Sequence, residues 1–392
     1  MPRFLRFSVL FLALSLLLLA ILPSLAFIKA SGVGEKTGTV LPAPTTHPPA
    51  TSAASAALLD PVSGCFLLTQ NADERRAMAS TTKIMTALVI LTYCDLDQTV
   101  RVPREAVGVE GSSIYLFENE EITVKTLLYA LLLSSANDAA VALAIHAAGS
   151  VAAFAALMNE KATAMGLKDT HFTNPHGLYD EAHYTTAREL ALITAEALKN
   201  DVFAEIVATK RYSVPQNGTD ATRLFLNHNR LLQTYEGTVG VKTGFTKKSG
   251  RCLVSAANKQ DLTLIAVTLH DPNDWQDHRA LFDWGFSEYE GFCPTPTAIH
   301  LPVVGGASAQ ATLLPEGELS LTLPRHHEEI TCTVEAPRFL FAGFDKGMEV
   351  GRLVYRMGDT VIATLPLKTA EGVERLKMPR TFFEKLKDIF IK

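Results

Sequence analysis

The chain has 392 residues, 47% of them apolar, with 36 Lys and Arg against 41 Asp and Glu for a formal net charge of −5. The apolar share can fill a core and excludes a disordered chain, while the length suits two folded units with appendages. The slight acidity and the lack of a long basic run exclude a nucleic-acid binder, whose affinity would rest on clustered Lys and Arg.

At the N-terminus, Arg3 and Arg6 precede an apolar run from Phe7 to Leu22 that reaches small residues at Ser24-Leu25-Ala26. Residues 1–26 therefore read as an export signal cut after Ala26, with an uncleaved anchor as the alternative because the run nearly spans a bilayer. Either way the rest is expected outside the cytoplasm, in the cell envelope, secreted or membrane-associated. Residues 27–55 are rich in Pro, Thr, Ala and Ser without apolar periodicity, the composition of a flexible tether.

From Ala56 the texture changes. Ala57 to Asp60 and Gly64 to Leu68 read as two strands around a turn at Pro61-Val62-Ser63-Gly64. Helical patterns follow over Lys83–Leu91, Val124–Ala148, Val151–Met165 and Thr186–Leu198, where Ala and Leu recur at helical spacing. Strand-like segments return at Gly240–Gly244, Cys252–Ala257 and Leu262–Leu269. Helices set between early and late strands predict one antiparallel sheet with a helical cluster, an α/β domain over 56–290.

After Gly291 short alternating runs, at Ala298–Leu301, Leu319–Thr322, Thr331–Val334 and Gly351–Tyr355, predict a small β-sandwich over 291–375. Residues 376–392 form an amphipathic tail: Phe382, Phe383, Leu386, Ile389 and Phe390 share one helical face, and Thr381 with Glu384 makes a capping-box pattern. Such a tail either lies in a membrane interface or docks on the β-rich domain.

Cys65, Cys94, Cys252, Cys293 and Cys332 are scattered and odd in number, with no CxxC pair, so neither a disulfide framework nor a zinc ribbon is implied. His171, His176 and His183 lie close together but lack any metal-ligand spacing, and no metal or cofactor is expected.

Three motifs carry chemistry: Ser80-Thr81-Thr82-Lys83, Ser135-Ala136-Asn137 and Lys242-Thr243-Gly244. An SxxK or an SxN arises about once by chance in a chain of this length, so order and context decide their meaning. A second KTG at Lys36-Thr37-Gly38 sits in the tether without a strand pattern and is set aside. Ser80 and Lys83 are three apart at the start of a helix, which puts a base beside a nucleophile. A lysine takes a serine's proton only if burial or a neighbouring cation lowers its pKa, and Lys242 is the candidate cation. The positive end of the helix favours negative charge developing near Ser80. Ser135 is placed to pass a proton to a leaving amine, and Asn137 to bond a substrate amide. Lys242 and Thr243 lie in a glycine-bounded strand that can pair with an extended peptide and meet its carboxylate, with the N–H groups of Phe245 and Ser80 as an oxyanion hole. Each motif also has a plainer reading: an N-cap serine with a solvated lysine, helix capping by Ser and Asn, and a glycine-bounded turn.

In that order the three motifs resemble the active-site triplet of the penicillin-recognising serine enzymes. The surrounding Met78–Thr86, Gly111-Ser112-Ser113, Ser135–Ala140, Thr173-Asn174-Pro175-His176-Gly177-Leu178 and Gly240–Thr246 resemble the low-molecular-mass D-Ala-D-Ala carboxypeptidases, and the likeness runs over about residues 56–375. The resemblance implies a penicillin-binding transpeptidase-like catalytic domain and a β-rich second domain. It makes Ser80 the acylated nucleophile and Lys83 its base. Ser135 and Asn137 become the proton-relay and amide-binding groups, Lys242 and Thr243 the carboxylate site, and Gly244 and Phe245 further substrate-binding residues. The implied partners are a peptidoglycan stem peptide ending in D-Ala-D-Ala and β-lactams as covalent inhibitors. Two departures stand out. Some relatives carry a carboxylate-clamping Arg shortly before the segment matching Asp283-Trp284-Gly285-Phe286; here that stretch reads Asp274-Trp275-Gln276-Asp277-His278-Arg279, which leaves Arg279 as a candidate. Ala136 stands where Gly is usual. The same triplet also serves D,D-endopeptidases and β-lactamases, the latter needing a deacylating group for which Glu196 to Asn200 is the nearest pattern; a non-catalytic wall-binding scaffold is the alternative from another class.

Overall fold

The computed structural model describes residues 44–216, 221–260, 262–295 and 297–376. The export signal or anchor, most of the tether and all but the first residue of the tail lie outside the described residues.

Strand β1 (Ser55–Leu59) turns back into β2 (Phe66–Gln70) as an antiparallel hairpin. A 3₁₀ turn over Ala79–Thr82 leads into helix α1 (Lys83–Tyr93). The small ribbon β3 (Thr99–Arg101) and β4 (Glu121–Thr123) precedes α2 (Val124–Leu133), α3 (Asn137–Ala148), α4 (Val151–Ala164), α5 (Ala187–Leu198) and α6 (Asp201–Ala208). A second ribbon, β5 (Arg211–Pro215) with β6 (Thr222–Leu226), and the one-turn α7 (Leu231–Thr234) lead to β7 (Thr238–Thr246), β8 (Gly250–Lys259) and β9 (Leu262–Leu269). Helix α8 (Asp274–Glu288) closes this lobe.

The sheet runs β2-β1-β9-β8-β7, so the first and last strands of the lobe meet at its centre and β7 is left on an edge. Both faces are covered. Ala57 and Leu59 of β1 point into the large core shared with α1 to α6, while Ala56 and Leu58 point to Leu281, Phe282 and Trp284 of α8. This period-2 division is why these strands read as near-continuous apolar runs. Each fully buried Leu, Ile or Phe contributes about 1.5–3 kcal/mol. Side-chain caps start four of the helices: Thr123, Ser150, Thr186 and Asn200 accept from first-turn N–H groups of α2, α4, α5 and α6.

The second lobe comprises β10 (Tyr289–Phe292), β11 (Ile299–Val304), β12 (Gln310–Pro315), β13 (Leu321–Pro324), β14 (Ile330–Glu335), β15 (Leu340–Phe341), β16 (Glu349–Met357) and β17 (Thr360–Thr369). Six of them form one sheet in the order β14-β16-β17-β12-β11-β15, and the β10–β13 ribbon packs on it through Phe292, Leu321 and Leu323. The expected sandwich is thus two layers of unequal size.

Two sequence-based boundaries shift. The division at 290/291 falls inside β10, whose pairing with β13 ties the lobes together. Thr322 of β13 and Ser63 also donate to the buried carboxylate of Asp60. The last part of the tether, residues 44–54, lacks regular structure but lies against α8, and Ser55 already belongs to β1. Thr45 and Thr46 donate through both backbone N–H and hydroxyl groups to the Glu288 carboxylate at 2.7–3.1 Å, holding its pKa down to about 2. Ser52 bonds Asp271 and Asp277. Hydroxyl-rich composition reads as a solvated linker, but the same hydroxyls here find buried or half-buried carboxylates.

Candidate active site

Ser80 sits in the 3₁₀ turn ahead of α1 rather than in the helix itself. With three residues per turn, side chains at i and i+3 eclipse, so Lys83 falls directly over Ser80. Lys83 Nζ lies 3.0 Å from Ser80 Oγ, 2.7 Å from Asn137 Oδ1 and 2.7 Å from the His176 carbonyl oxygen. A neutral amine has two N–H donors and one lone pair. The two carbonyl oxygens take the donors, and the lone pair is left facing the serine hydroxyl.

The electrostatics agree with that protonation state. Lys83 is fully buried, and its pKa is lowered well below the usual lysine value, first by burial and then by the nearby charge of Lys242, with Asp138 pulling the other way. Lys242 is itself 1% exposed, and burial brings its pKa to about 7. Its Nζ donates to the Thr243 carbonyl.

The second motif fills the break between α2 and α3. What reads in sequence as one helical run from Val124 to Ala148 stops at Leu133 and restarts at Asn137. Ser135 adopts φ +60°, uncommon for a residue with a Cβ, and its hydroxyl has no hydrogen-bond partner among the described residues. Asn137 is engaged at both ends of its amide: Nδ2 donates to the Glu110 carbonyl while Oδ1 accepts from Lys83. It thus stands behind Lys83 rather than on the cleft wall. Asp138, which sequence reasoning passed over, organises the neighbouring loop by accepting from Ser113 Oγ and from the N–H groups of Ile114 and Leu116.

The third motif lies on β7, whose outer edge is unpaired in the sheet. Gly244 permits a close approach that no other residue would: a Cβ there would meet Ser80 N at 2.9 Å. Gly177, at φ +88°, is pressed against Ala79 in the same way, a Cβ meeting the Ala79 carbonyl oxygen at 1.9 Å. This brings the Asn174-Pro175-His176-Gly177 loop up to the nucleophile turn, and explains how a backbone carbonyl of His176 comes to hold Lys83. The His176 and His183 side chains, kept neutral by burial with pKa values of about 3 and about 4, are held in hydrogen bonds, His176 to the Leu178 N–H and His183 to Thr82 and the Thr173 N–H.

Ser80, Ser135, Thr243, Gly244 and Phe245 line one cleft of about 330 Å³. Ser112, His228, Arg230, Arg251, Asp274 and Trp275 complete its wall; of these Ser112 had a sequence signal in Gly111-Ser112-Ser113, and Asp274 with Trp275 lay in the stretch searched for a clamp, while His228, Arg230 and Arg251 had none. Arg279, the sequence-based candidate for the carboxylate clamp, is elsewhere: it donates to the Thr234 carbonyl and lies over the Tyr235 ring. Glu196 to Asn200 is equally remote in role, with Glu196 paired to Lys161 and Lys199 on the surface and Asn200 capping α6.

Residues 43–273 match the family model described as D-alanyl-D-alanine carboxypeptidase, and residues 299–375 match that of the penicillin-binding protein 5 C-terminal domain. The chain is 32% identical over 336 residues to the D-alanyl-D-alanine carboxypeptidase DacF of Bacillus subtilis, covering 82% of this chain and 86% of that one. It is 33% identical over 345 residues to the D-alanyl-D-alanine carboxypeptidase DacA of Escherichia coli, covering 83% and 84%. Among solved structures, penicillin-binding protein 5 from Haemophilus influenzae superposes with a TM-score of 0.70 at 29% identity, over 84% of this chain and all of that one. The Streptomyces K15 DD-transpeptidase superposes with a TM-score of 0.58 at 35% identity over 62% of this chain and 99% of that one.

Proposed function

The chain belongs to the D-alanyl-D-alanine carboxypeptidase family, and on that premise we propose that Ser80 is its nucleophile, Lys83 the base and Ser135 the proton relay. It is a serine-type D-alanyl-D-alanine carboxypeptidase of the cell envelope, acting on peptidoglycan stem peptides and binding β-lactams. The observation that carries the residue assignment is the set of contacts at Lys83 Nζ, two carbonyl oxygens and one serine hydroxyl, in a site where burial and Lys242 disfavour the ammonium form.

Lys83 takes the Ser80 proton as Oγ attacks the carbonyl between the two D-Ala residues. The N–H groups of Ser80 and Phe245 face the developing oxyanion while the peptide lies along the free edge of β7. Ser135, its hydroxyl unengaged, passes a proton to the departing D-Ala amine, and water then cleaves the acyl-enzyme. Asn137 serves as the acceptor that orients Lys83, Lys242 supplies positive potential from behind the cleft wall, and Thr243 lines the side where the substrate's carboxylate end lies.

Ser80→Ala is expected to abolish both D-Ala release from a pentapeptide and covalent labelling by penicillin, read by mass spectrometry of the intact protein. Labelling that persists at another residue would sink the assignment. Asp274 is the one carboxylate on the described cleft wall, and it is bound to Arg251, so we expect penicillin to leave a long-lived adduct rather than be turned over as in a β-lactamase. Membrane association, through the N-terminal apolar run or the amphipathic tail, is the accompanying proposal. Vesicle partitioning that is unchanged on removing both segments would refute it.

A further inference from the structure

We propose that Arg251 recognises the terminal carboxylate of the substrate and that Asp274 is the positioning residue that aims it. This rests on the reading of Ser80 as the nucleophile. A carboxypeptidase has to distinguish a chain end from an interior amide, and one residue, about 3.5 Å of extended chain, separates the attacked carbonyl from that carboxylate. The recognising cation must therefore lie beside the oxyanion site. Lys83 has both N–H groups of its neutral amine on carbonyl oxygens, and Lys242 is buried with its amine on the Thr243 carbonyl. Neither leaves a free, exposed donor. The two guanidinium groups on the cleft wall remain, Arg230 and Arg251.

Of these, Arg251 is the one built into place. It lies on β8 directly opposite Phe245 of β7, next to the Gly244–Cys252 pair. Its Nη2 donates to Asp274 Oδ1 at 2.8 Å, and its guanidinium lies 5.8 Å from the centre of the Trp275 ring. The Asp274 side chain is only 5% exposed, whereas that of Arg251 is 43% exposed. One edge of the fork is thus fixed by a buried carboxylate, while the remaining N–H groups carry no acceptor among the described residues. A planar guanidinium held this way is preorganised for a second, incoming carboxylate. Arg230 is exposed at the start of a one-turn helix and its side chain has no such anchor among the described residues; it adds the positive charge that Asp274 removes from the wall. The stretch Asp274–Arg279 thus contributes the counter-ion, Asp274, and the cation stands on β8.

The test compares second-order labelling of Ser80 by benzylpenicillin and by its methyl ester, which differ only at the carboxylate, followed by intact mass. The unmodified protein is expected to prefer the acid, and Arg251→Leu to lower its labelling rate about 100-fold with little effect on the ester, collapsing the preference. Asp274→Asn should reduce the preference about tenfold with Arg251 still present, and Arg251→Lys, which keeps the charge but not the fork, should restore little of it. An Arg251→Leu or Arg251→Lys protein that keeps the full acid-to-ester ratio overturns the proposal, as does loss of that ratio in Arg230→Ala alone. Failure of both reagents to label Ser80 in the unmodified protein would instead overturn the nucleophile assignment, and the clamp with it.

Discussion

A lysine held neutral by its surroundings is the residue-scale event on which the chemistry turns. Burial is the larger cause of the lowered Lys83 pKa and the charge of Lys242 the second, so the two can be separated by substitution. Lys83 acts as a base only when unprotonated, which means that acylation rises with pH through the Lys83 pKa. In Lys242→Met the repulsion disappears, the ammonium form of Lys83 is less disfavoured, and its pKa moves upward. The acid limb of the penicillin-labelling rate is therefore expected to shift to higher pH by roughly one unit, alongside a lower maximum rate. A limb that stays in place would show that burial alone sets the lysine. The SxxK spacing made the pairing of Ser80 with Lys83 legible from sequence. The carbonyl oxygens that consume the amine's donors were not legible as contacts, because His176 contributes backbone and Asn137 reaches across 54 positions of chain.

Elements matter here mainly by how closely they approach. The nucleophile turn is clasped between β7 at Gly244 and the loop at Gly177, each of which would drive a Cβ into the backbone of residues 79–81. Gly244→Ala should leave the fold intact but push β7 off the turn, lowering penicillin acylation by about 10- to 100-fold without a matching loss in melting temperature. Equal losses in both would point to a packing role only. Helix periodicity exposed most helices and the turn at Pro61–Gly64 exposed the first hairpin, and Ser135-Ala136-Asn137 read as a junction within helical sequence, but the full interruption from Ser134 to Ala136 did not show. Apolar periodicity continues through it, and only the left-handed Ser135 marks the break. The tether was misread at this scale too, since residues 44–54 owe their docking to carboxylates of Asp271, Asp277 and Glu288 that lie more than 200 positions away.

Across the whole molecule, every cleft residue falls between Ser80 and Trp275, while the second lobe is joined through β10–β13 and the Asp60 cluster. A chain ended after Glu288 is accordingly expected to label with penicillin at a rate within a few-fold of the full chain, but to melt lower because Trp284 loses the Tyr289 ring packed against it and the buried Asp60 loses its Thr322 donor. Loss of labelling in a folded truncated chain would assign the second lobe a direct part in the site. The sequence by itself determined the α/β and β-rich division, the three motifs and their order, since those follow from local periodicity and from fixed short spacings. Only the tertiary structure decided which cations reach the cleft, that Arg279 does not, and that Asn137 turns inward to Lys83. Those outcomes depend on strand register and on which side chains share a wall, and neither is encoded within any one stretch of chain.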